Sequence, residues 1–198
     1  MKENKSNKIK FKDIYIVVNE KGGVGKSTIA MQVLAPVLYL NNLNKNIHVW
    51  EIDDSNNTKK HISSKYIQYE SMKLSKSEMA INDIEFSNLT DPNTVHVVDS
   101  GGSDDSKKIL AHLKQVNLIG LQYIIPTNED MEQIDNITEI IEIIRQQDKF
   151  AKIYLLLNRC ISLKENEIKQ QFINIFGSKE LGIPSQIENL KIDEILFV

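Results

Sequence analysis

The 198-residue sequence contains a single cysteine, Cys160. One thiol cannot form an intramolecular disulfide, a Cys-x-x-Cys redox pair or a cysteine-ligated cluster, so these sites are excluded within one chain. Basic charge is also scarce, because 24 lysines and arginines are outnumbered by 27 aspartates and glutamates, which gives a net charge of -3. The chain therefore has no overall positive field, and any affinity for DNA must come from a local patch.

The sequence also lacks an apolar run long enough to span a membrane, and residues 1–12 lack the apolar core of a signal peptide. We therefore expect a cytoplasmic protein with no membrane partner. Residues 1–12 are instead rich in lysine and are predicted to be a basic, flexible leader, with DNA contact as the alternative. Residues 13–198 are predicted to form one domain, because the 41% hydrophobic content suits a single sizeable core.

Only eight glycines occur, and three of them lie in the segment KGGVGKST, residues 21–28. An apolar run precedes this segment and a helical pattern follows it, an order that predicts a phosphate-binding loop between a strand and a helix. Gly22, Gly23 and Gly25 let the backbone N–H groups approach an anion closely. Lys26 is expected to reach the β- and γ-phosphates, Ser27 to coordinate Mg²⁺, and Thr28 to face the α-phosphate.

The loop departs from the general pattern G-x-x-x-x-G-K-[ST], because Glu20 replaces the first glycine and a second lysine, Lys21, precedes the glycine pair. The stretch NEKGGVGKST, residues 19–28, closely resembles the deviant Walker A motif of the ParA/MinD family. The resemblance implies that ATP and Mg²⁺ are the cofactors and that the loop, Val24 included, binds the nucleotide. It also implies that Lys21 reaches across a dimer interface to the partner's nucleotide.

Acidic residues follow two predicted strands. Residues 47–52 form the first, which ends near Asp53, and the family pattern D-x-D-P-Q-x-N is partly matched there. The resemblance makes Asp53 the carboxylate that orients water near the γ-phosphate and the metal, with a solvated acidic turn as the alternative. Residues 95–98 form the second, and Asp99 after it is similar to a Walker B aspartate that holds Mg²⁺ through a water.

Other parts of the sequence are less informative. Asn158 follows a predicted strand, and by resemblance it contacts adenine, with Arg159 beside it at the nucleotide. Pro36 interrupts the helical pattern after the loop, so we expect a kink or an early helix end near Ala35. Between residues 58 and 92 the pattern predicts only a short strand near residues 66–69 and an amphipathic stretch near residues 79–84.

Strand and helix patterns alternate along the chain, which predicts an α/β single domain with a mostly parallel twisted sheet flanked by helices. By resemblance, the chain is expected to be a ParA-type partition ATPase with slow Mg²⁺-dependent hydrolysis. Its expected partners are a second copy in an ATP-dependent sandwich homodimer, a ParB-like adaptor protein and non-specific DNA. The expected DNA patch combines the leader with Arg145, Lys149, Lys152 and Arg159.

Two alternatives remain open. An accessory ATPase of conjugation or protein positioning would use the same dimer switch to recruit a protein rather than DNA, and the acidic balance slightly favours it. A metabolic relative is the third class. An iron-protein reductase is disfavoured because Cys160 cannot supply a cluster, and a ligase because no substrate-pocket motif is visible.

Overall fold

The computed structural model describes residues 12–54, 64–102, 104–116, 118–130 and 133–198. Residues 1–11, nearly all of the predicted leader, lie outside the described residues, so the domain division stays a prediction. The described strands are β1 (Ile14–Val17), β2 (Asn46–Ile52), β3 (Ile67–Met72), β4 (Thr94–Ser100), β5 (Gln122–Thr127), β6 (Lys152–Leu157) and β7 (Glu194–Phe197). The described helices are α1 (Lys26–Thr28), α2 (Ala35–Asn41), α3 (Ser77–Thr90), α4 (Asp104–Gln115), α5 (Gln133–Gln147), α6 (Glu165–Gln171) and α7 (Ile173–Phe176).

The strands form one parallel sheet in the order β3-β2-β4-β1-β5-β6-β7. The glycine loop follows β1, the central strand, and β4 and β5 lie on either side of it. Because all seven strands are parallel, their carboxyl ends share one edge of the sheet, which is where α/β proteins bind ligands. The predicted α/β fold is confirmed, and the weakly patterned region contributes β3 and α3 close to where they were expected.

Helices cover both faces of the sheet, which is why its inner strands are continuous apolar runs. On one face α3, α4 and α5 bury residues such as Ile84, Ile109 and Ile140 in the larger part of the core. On the other face the helical segment after the glycine loop buries residues such as Ile29 and Leu38 against β2 and β4. The loop is therefore held between a buried central strand and a buried helix.

The helical segment after the loop continues past Pro36, so the expectation of a helix end near Ala35 was wrong. A π-helical segment, Ile29–Leu34, joins α1 to α2, and Ala35 N–H donates to Ala30 O five residues earlier. In that pattern Met31 O would pair with residue 36, but proline has no N–H to donate. The hydroxyl of Tyr69 in β3 donates to Met31 O at 3.2 Å instead, which satisfies this carbonyl and lets the helix run on to Asn41.

Candidate functional site

The glycine loop is anchored at its start by Asn19, a fully buried side chain directly after β1. Asn19 Nδ2 donates to Pro126 O at 2.8 Å, and Asn19 Oδ1 accepts from Lys21 N–H at 2.9 Å. Further along the loop, Gly25 has a φ of 93°, a left-handed conformation, and a Cβ there would lie 2.5 Å from Asn158 Nδ2. The backbone angle thus requires glycine at Gly25, and a larger residue there would also displace the Asn158 side chain.

A pocket of about 410 Å³ opens at this edge of the sheet. It brings together most of the residues that the sequence predicted, together with the loop after β4. The lining residues are Gly22, Gly23, Gly25, Lys26, Ser27, Thr28, Asp53, Ser100, Gly101, Gly102 and Arg159. One side of the pocket is formed by the glycine backbone, the start of the helix and Lys26, and the other side by the carboxylate of Asp53. This arrangement suits a polyphosphate and its cation.

Lys26 lies within this pocket with only 7% of its surface exposed. Its Nζ donates to Lys21 O at 3.0 Å, so the loop backbone holds the ammonium group. Burial lowers the pKa of Lys26, while the nearby carboxylates of Asp99, Asp53 and Asp105 oppose that shift. An anionic phosphate entering the pocket would add favourable charge around a cation that is already stripped of most of its water.

Asp99 ends the apolar run of β4 and is 2% exposed. The Ser27 hydroxyl lies close enough to the Asp99 carboxylate to favour its ionised form, whereas Asp99 Oδ1 has no hydrogen-bond partner among the described residues. Burial raises the pKa of Asp99 to about 7, Ser27 opposes the rise, and Glu51 on the neighbouring strand adds to it. A buried carboxylate oxygen with no partner, next to a hydroxyl, fits a hard cation such as Mg²⁺.

Asp53 lies just beyond β2 and approaches Asp105 near the start of α4. A Cβ on Gly101 would lie 2.5 Å from Asp105 Oδ2 and 3.0 Å from Asp53 Cγ, so both carboxylates lie next to that glycine. Burial raises the pKa of Asp105, and the negative charges of Asp53 and Asp54 add to the effect. Sequence reasoning assigned Asp105 only a helix N-terminal charge, whereas the structure places it in the acidic group beside the pocket.

A buried serine couples the glycine loop to the loop after β4, and sequence reasoning missed it. Ser106 Oγ lies within hydrogen-bond distance of Asn19 O and Gly101 O, each at 3.1 Å, and of Ser100 Oγ at 2.9 Å, so its one proton is shared among them. Ser100 Oγ in turn donates to Val17 O at 2.9 Å. The partners are up to 87 residues apart in sequence, so no local pattern could have identified this network.

The two residues after β6 contact carbonyl oxygens of the glycine loop. Asn158 Nδ2 donates to Val24 O at 2.8 Å, and Val24 itself is buried rather than part of the pocket lining. Arg159 adopts a φ of 62° and donates from its guanidinium to Gly23 O at 3.2 Å. Asn158 therefore lies beside the predicted nucleotide site and Arg159 lines it, while their contacts with adenine or phosphate stay predictions.

Lys21 does not line the pocket, although it belongs to the same loop. Its Nζ forms an ion pair with Asp130, which follows β5. Lys26 and Lys21 are therefore directed differently: the first is buried in the phosphate cradle, and the second lies at the half-exposed margin of the loop. The predicted contact of Lys21 with a facing subunit's nucleotide stays a prediction.

The predicted DNA patch is not formed by the four residues that were expected to contribute to it. Arg159 lies at the carboxyl end of β6, whereas Lys152 begins that strand, about 20 Å away at ~3.3 Å per residue. Arg145 donates to Ala151 O and Lys191 O and pairs with Asp193 at 2.7 Å, so its charge joins α5 to the segment before β7. The expectation failed because both ends of one strand were treated as neighbours.

The model of the family described as ATPase MipZ matches residues 13–131, more than half of the chain. The chain belongs to the ATPase MipZ family. It is thus a P-loop ATPase of the ParA/MinD type that binds ATP, and the predicted family and enzyme class are confirmed. Among curated proteins, none matches the sequence significantly.

Solved structures of similar fold agree with this assignment. A Borrelia burgdorferi plasmid partition protein bound to AMPPNP has 18% identity and a TM-score of 0.56, over 92% of this chain and 90% of its own. A McdA variant from Cyanothece in complex with ATP has 12% identity and a TM-score of 0.54, over 94% and 83%. A ParA family ATPase from Chlorobium tepidum has 16% identity and a TM-score of 0.52, over 95% and 84%. At these identities the likeness concerns the fold.

None of the helices in the described residues combines the length and the hydropathy that a membrane-spanning segment needs.

Proposed function

We propose that this ATPase is a nucleotide-dependent dimerisation switch of the partition type, which closes into a sandwich homodimer with Mg-ATP and opens after slow hydrolysis. The observation that carries the proposal is the different placement of two lysines of one loop. Lys26 is buried in the phosphate cradle, whereas Lys21 lies outside the pocket lining. One buried lysine suffices for the chain's own phosphates, so a facing subunit's triphosphate gives Lys21 a distinct role.

The remaining proposed roles follow from the positions of the side chains. Gly22, Gly23 and Gly25, with the backbone of Val24, would surround the phosphates, and Thr28 would contact them at the helix start. Ser27, Asp53 and Asp99 would hold Mg²⁺, which when bound would neutralise developing charge on the phosphates. Asp53 would also orient the attacking water. Asn158 and Arg159 would contact the nucleotide from beside the loop.

Loss of the γ-phosphate explains how hydrolysis would open such a dimer. The triphosphate supplies the negative charge that keeps Lys21 at the interface, and hydrolysis removes part of it. The loop after β4 would shift when the γ-phosphate is lost, because Ser106 links this loop to the start of the glycine loop. We further propose that a ParB-like adaptor stimulates hydrolysis and that the ATP-bound dimer binds DNA without sequence preference, functions supported by the partition proteins of similar fold.

A second candidate is a protein-positioning ATPase whose dimer recruits a protein instead of DNA. Two observations favour it. The net charge is -3, and Arg145, one of the residues expected to contact DNA, pairs with Asp193 within the chain. Retardation of a random-sequence duplex with and without ATP separates the two candidates, because a DNA-bound dimer would be salt-sensitive.

Light scattering tests the dimer itself. On a non-hydrolysing Asp53→Ala background, we expect a dimer with Mg-ATP and a monomer with Mg-ADP. Adding Lys21→Ala should leave ATP binding in place and keep the protein monomeric. Lys179→Ala, which changes an exposed lysine distant in sequence from the loop, is the control and should still dimerise. An ATP-dependent dimer that persists without the Lys21 side chain would contradict the proposed contact in trans.

A further inference from the structure

The outer face of α3 is unusually apolar for a solvent-facing helix. Met79 is 48% exposed, Phe86 68% and Leu89 73%. Their spacings of seven and three residues place them on one side of the helix, opposite Ala80 and Ile84, which are fully buried in the core. A single exposed apolar residue is ordinary, but three aligned along one helix form a stripe that water solvates poorly.

The next two helices on the same face of the sheet, α4 and α5, carry no such stripe. In α4, apolar residues such as Ile109 and Leu113 are buried against the sheet. In α5, Ile137 and Ile144 are likewise buried, and none of its large apolar side chains is exposed. The sequence of α3 therefore places large apolar side chains on both of its sides, and only one side is used by the core.

Acidic side chains border the stripe on α3. The helix contains Glu78, Asp83 and Glu85 and no basic residue. Glu78 and Asp83 are exposed, and Glu85 is half-buried. At about 100° per residue, Asp83 lies on one side of the line through Phe86, and Glu78 and Glu85 lie on the other. The α3 outer surface, meaning Met79, Phe86 and Leu89 with these three carboxylates, is thus apolar on both sides of the exposed Asn82 and negative on both margins.

We propose that the α3 outer surface is a docking site for a basic amphipathic segment of another protein. Such a segment would place apolar side chains on Phe86 and Leu89 and lysines or arginines against the flanking carboxylates. Charge disfavours three other occupants. Two copies of this surface would bring like charges together in a two-fold contact, and both nucleic acid and an anionic membrane would be repelled.

The site stands apart from the nucleotide pocket, because none of its residues lines that pocket. The proposal consequently does not rest on the proposed dimer switch. A partner held there would be captured whether or not ATP is bound, since α3 packs against α4 and β4 rather than against the glycine loop. Docking and nucleotide binding can therefore be measured separately.

The test uses a fluorescent synthetic peptide of about 18 residues, with leucine along one helical face and lysine elsewhere. Its binding to the full-length protein is followed by anisotropy at physiological ionic strength. We expect saturable binding that Phe86→Gln with Leu89→Gln weakens about tenfold or more. Asp83→Lys should weaken it as well. The matched control is Leu40→Gln with Leu43→Gln, which changes two equally exposed apolar residues and should leave the affinity within about twofold.

Four outcomes would overturn the proposal. The first is equal weakening in the control pair, and the second is saturable binding of a peptide with glutamate in place of lysine. The third is a nucleotide-independent dimer that dissociates on Phe86→Gln, since a second copy would then occupy the surface. The fourth is peptide binding that occurs only after Lys5, Lys8 and Lys10 are changed to Gln, since the chain's own leader would then be the occupant. Melting temperatures equal to that of the unsubstituted protein verify that each variant is folded.

Discussion

The hydroxyl of Tyr69 donates to the carbonyl oxygen of Met31 at 3.2 Å, a hydrogen bond between β3 and the π-helical segment after the glycine loop. This bond replaces the one that Pro36 cannot make. Tyr69→Phe should therefore lower the free energy of unfolding by about 1–3 kcal/mol, because Met31 O loses its donor while it stays partly shielded from water. Urea denaturation measures the change.

Two further variants isolate the cause. Tyr66→Phe removes the hydroxyl of a residue that is 41% exposed, and it should change the free energy of unfolding by less than about 0.5 kcal/mol. Pro36→Ala restores an N–H to the helix, so Tyr69→Phe should cost less on that background. An equal cost of Tyr69→Phe with proline or alanine at position 36 would show that the hydroxyl does not substitute for the missing donor.

His96 should make the protein sensitive to acid. It is buried, with Nδ1 accepting from Trp50 Nε1 at 3.1 Å and Nε2 near Ser87 Oγ at 3.0 Å. Burial lowers the pKa of His96 to about 4, with a smaller contribution from His48. Between about pH 6.5 and 4 the unfolded chain therefore binds more protons than the folded one, and stability falls as the pH falls.

Wild-type protein should consequently lose about 2 kcal/mol of His96-linked stability between pH 7.5 and 5. His96→Gln keeps a polar side chain without this titration and should flatten the profile in that window. Urea denaturation at a series of pH values measures both proteins. The same slope in the variant would assign the acid sensitivity to other groups.

Asp99 illustrates a conflict between stability and function. Because its pKa is raised to about 7, the folded protein binds its proton more tightly than the unfolded chain does. Its contribution to stability is full below about pH 4 and is lost as the pH rises through 7. Asp99→Asn should accordingly be more stable than the wild type at pH 8, by about 4 kcal/mol, while Mg²⁺-dependent ATP turnover is lost.

At pH 8, chemical denaturation measures the expected gain in stability of Asp99→Asn, and a phosphate-release assay measures its expected loss of ATP turnover. Ser27→Ala is the companion variant, because it removes the hydroxyl that opposes the raised pKa of Asp99 without removing the carboxylate. It should not show the gain in stability. An Asp99→Asn protein less stable than the wild type at pH 8 would mean that the ionised carboxylate is held favourably even without nucleotide.

The sequence was informative where the residues of a functional motif are consecutive in the chain. The glycine loop, the strand before it and Asp99 were predicted because a phosphate cradle and a strand-end carboxylate need only local order. Asn19 and Ser106 could not be found in this way, because their importance arises from contacts between segments far apart in the chain. Local patterns carry no information about such pairings before the sheet order is known.

The errors have equally specific causes. Of the two outcomes expected for Pro36, a kink or an early helix end, the early end was wrong because the missing donor was counted without the side chain that replaces it, Tyr69 of β3. The basic patch was expected because Lys152 and Arg159 are near in sequence, although a strand separates residues that a helix would bring together. The outer surface of α3 was overlooked because the amphipathic stretch was predicted only near residues 79–84, which leaves out Phe86 and Leu89.

Calorimetric titration with Mg-ATP tests the central claim most directly, namely that the glycine loop and Lys26 form the nucleotide site. Lys26→Ala should weaken binding by at least tenfold, since the contact of a buried ammonium with phosphate contributes about 1.5–3 kcal/mol. Lys164→Ala, at a side chain 80% exposed, should bind as the wild type does, and Asp53→Ala should bind ATP while turnover slows. Unchanged affinity for Mg-ATP in Lys26→Ala would contradict the account.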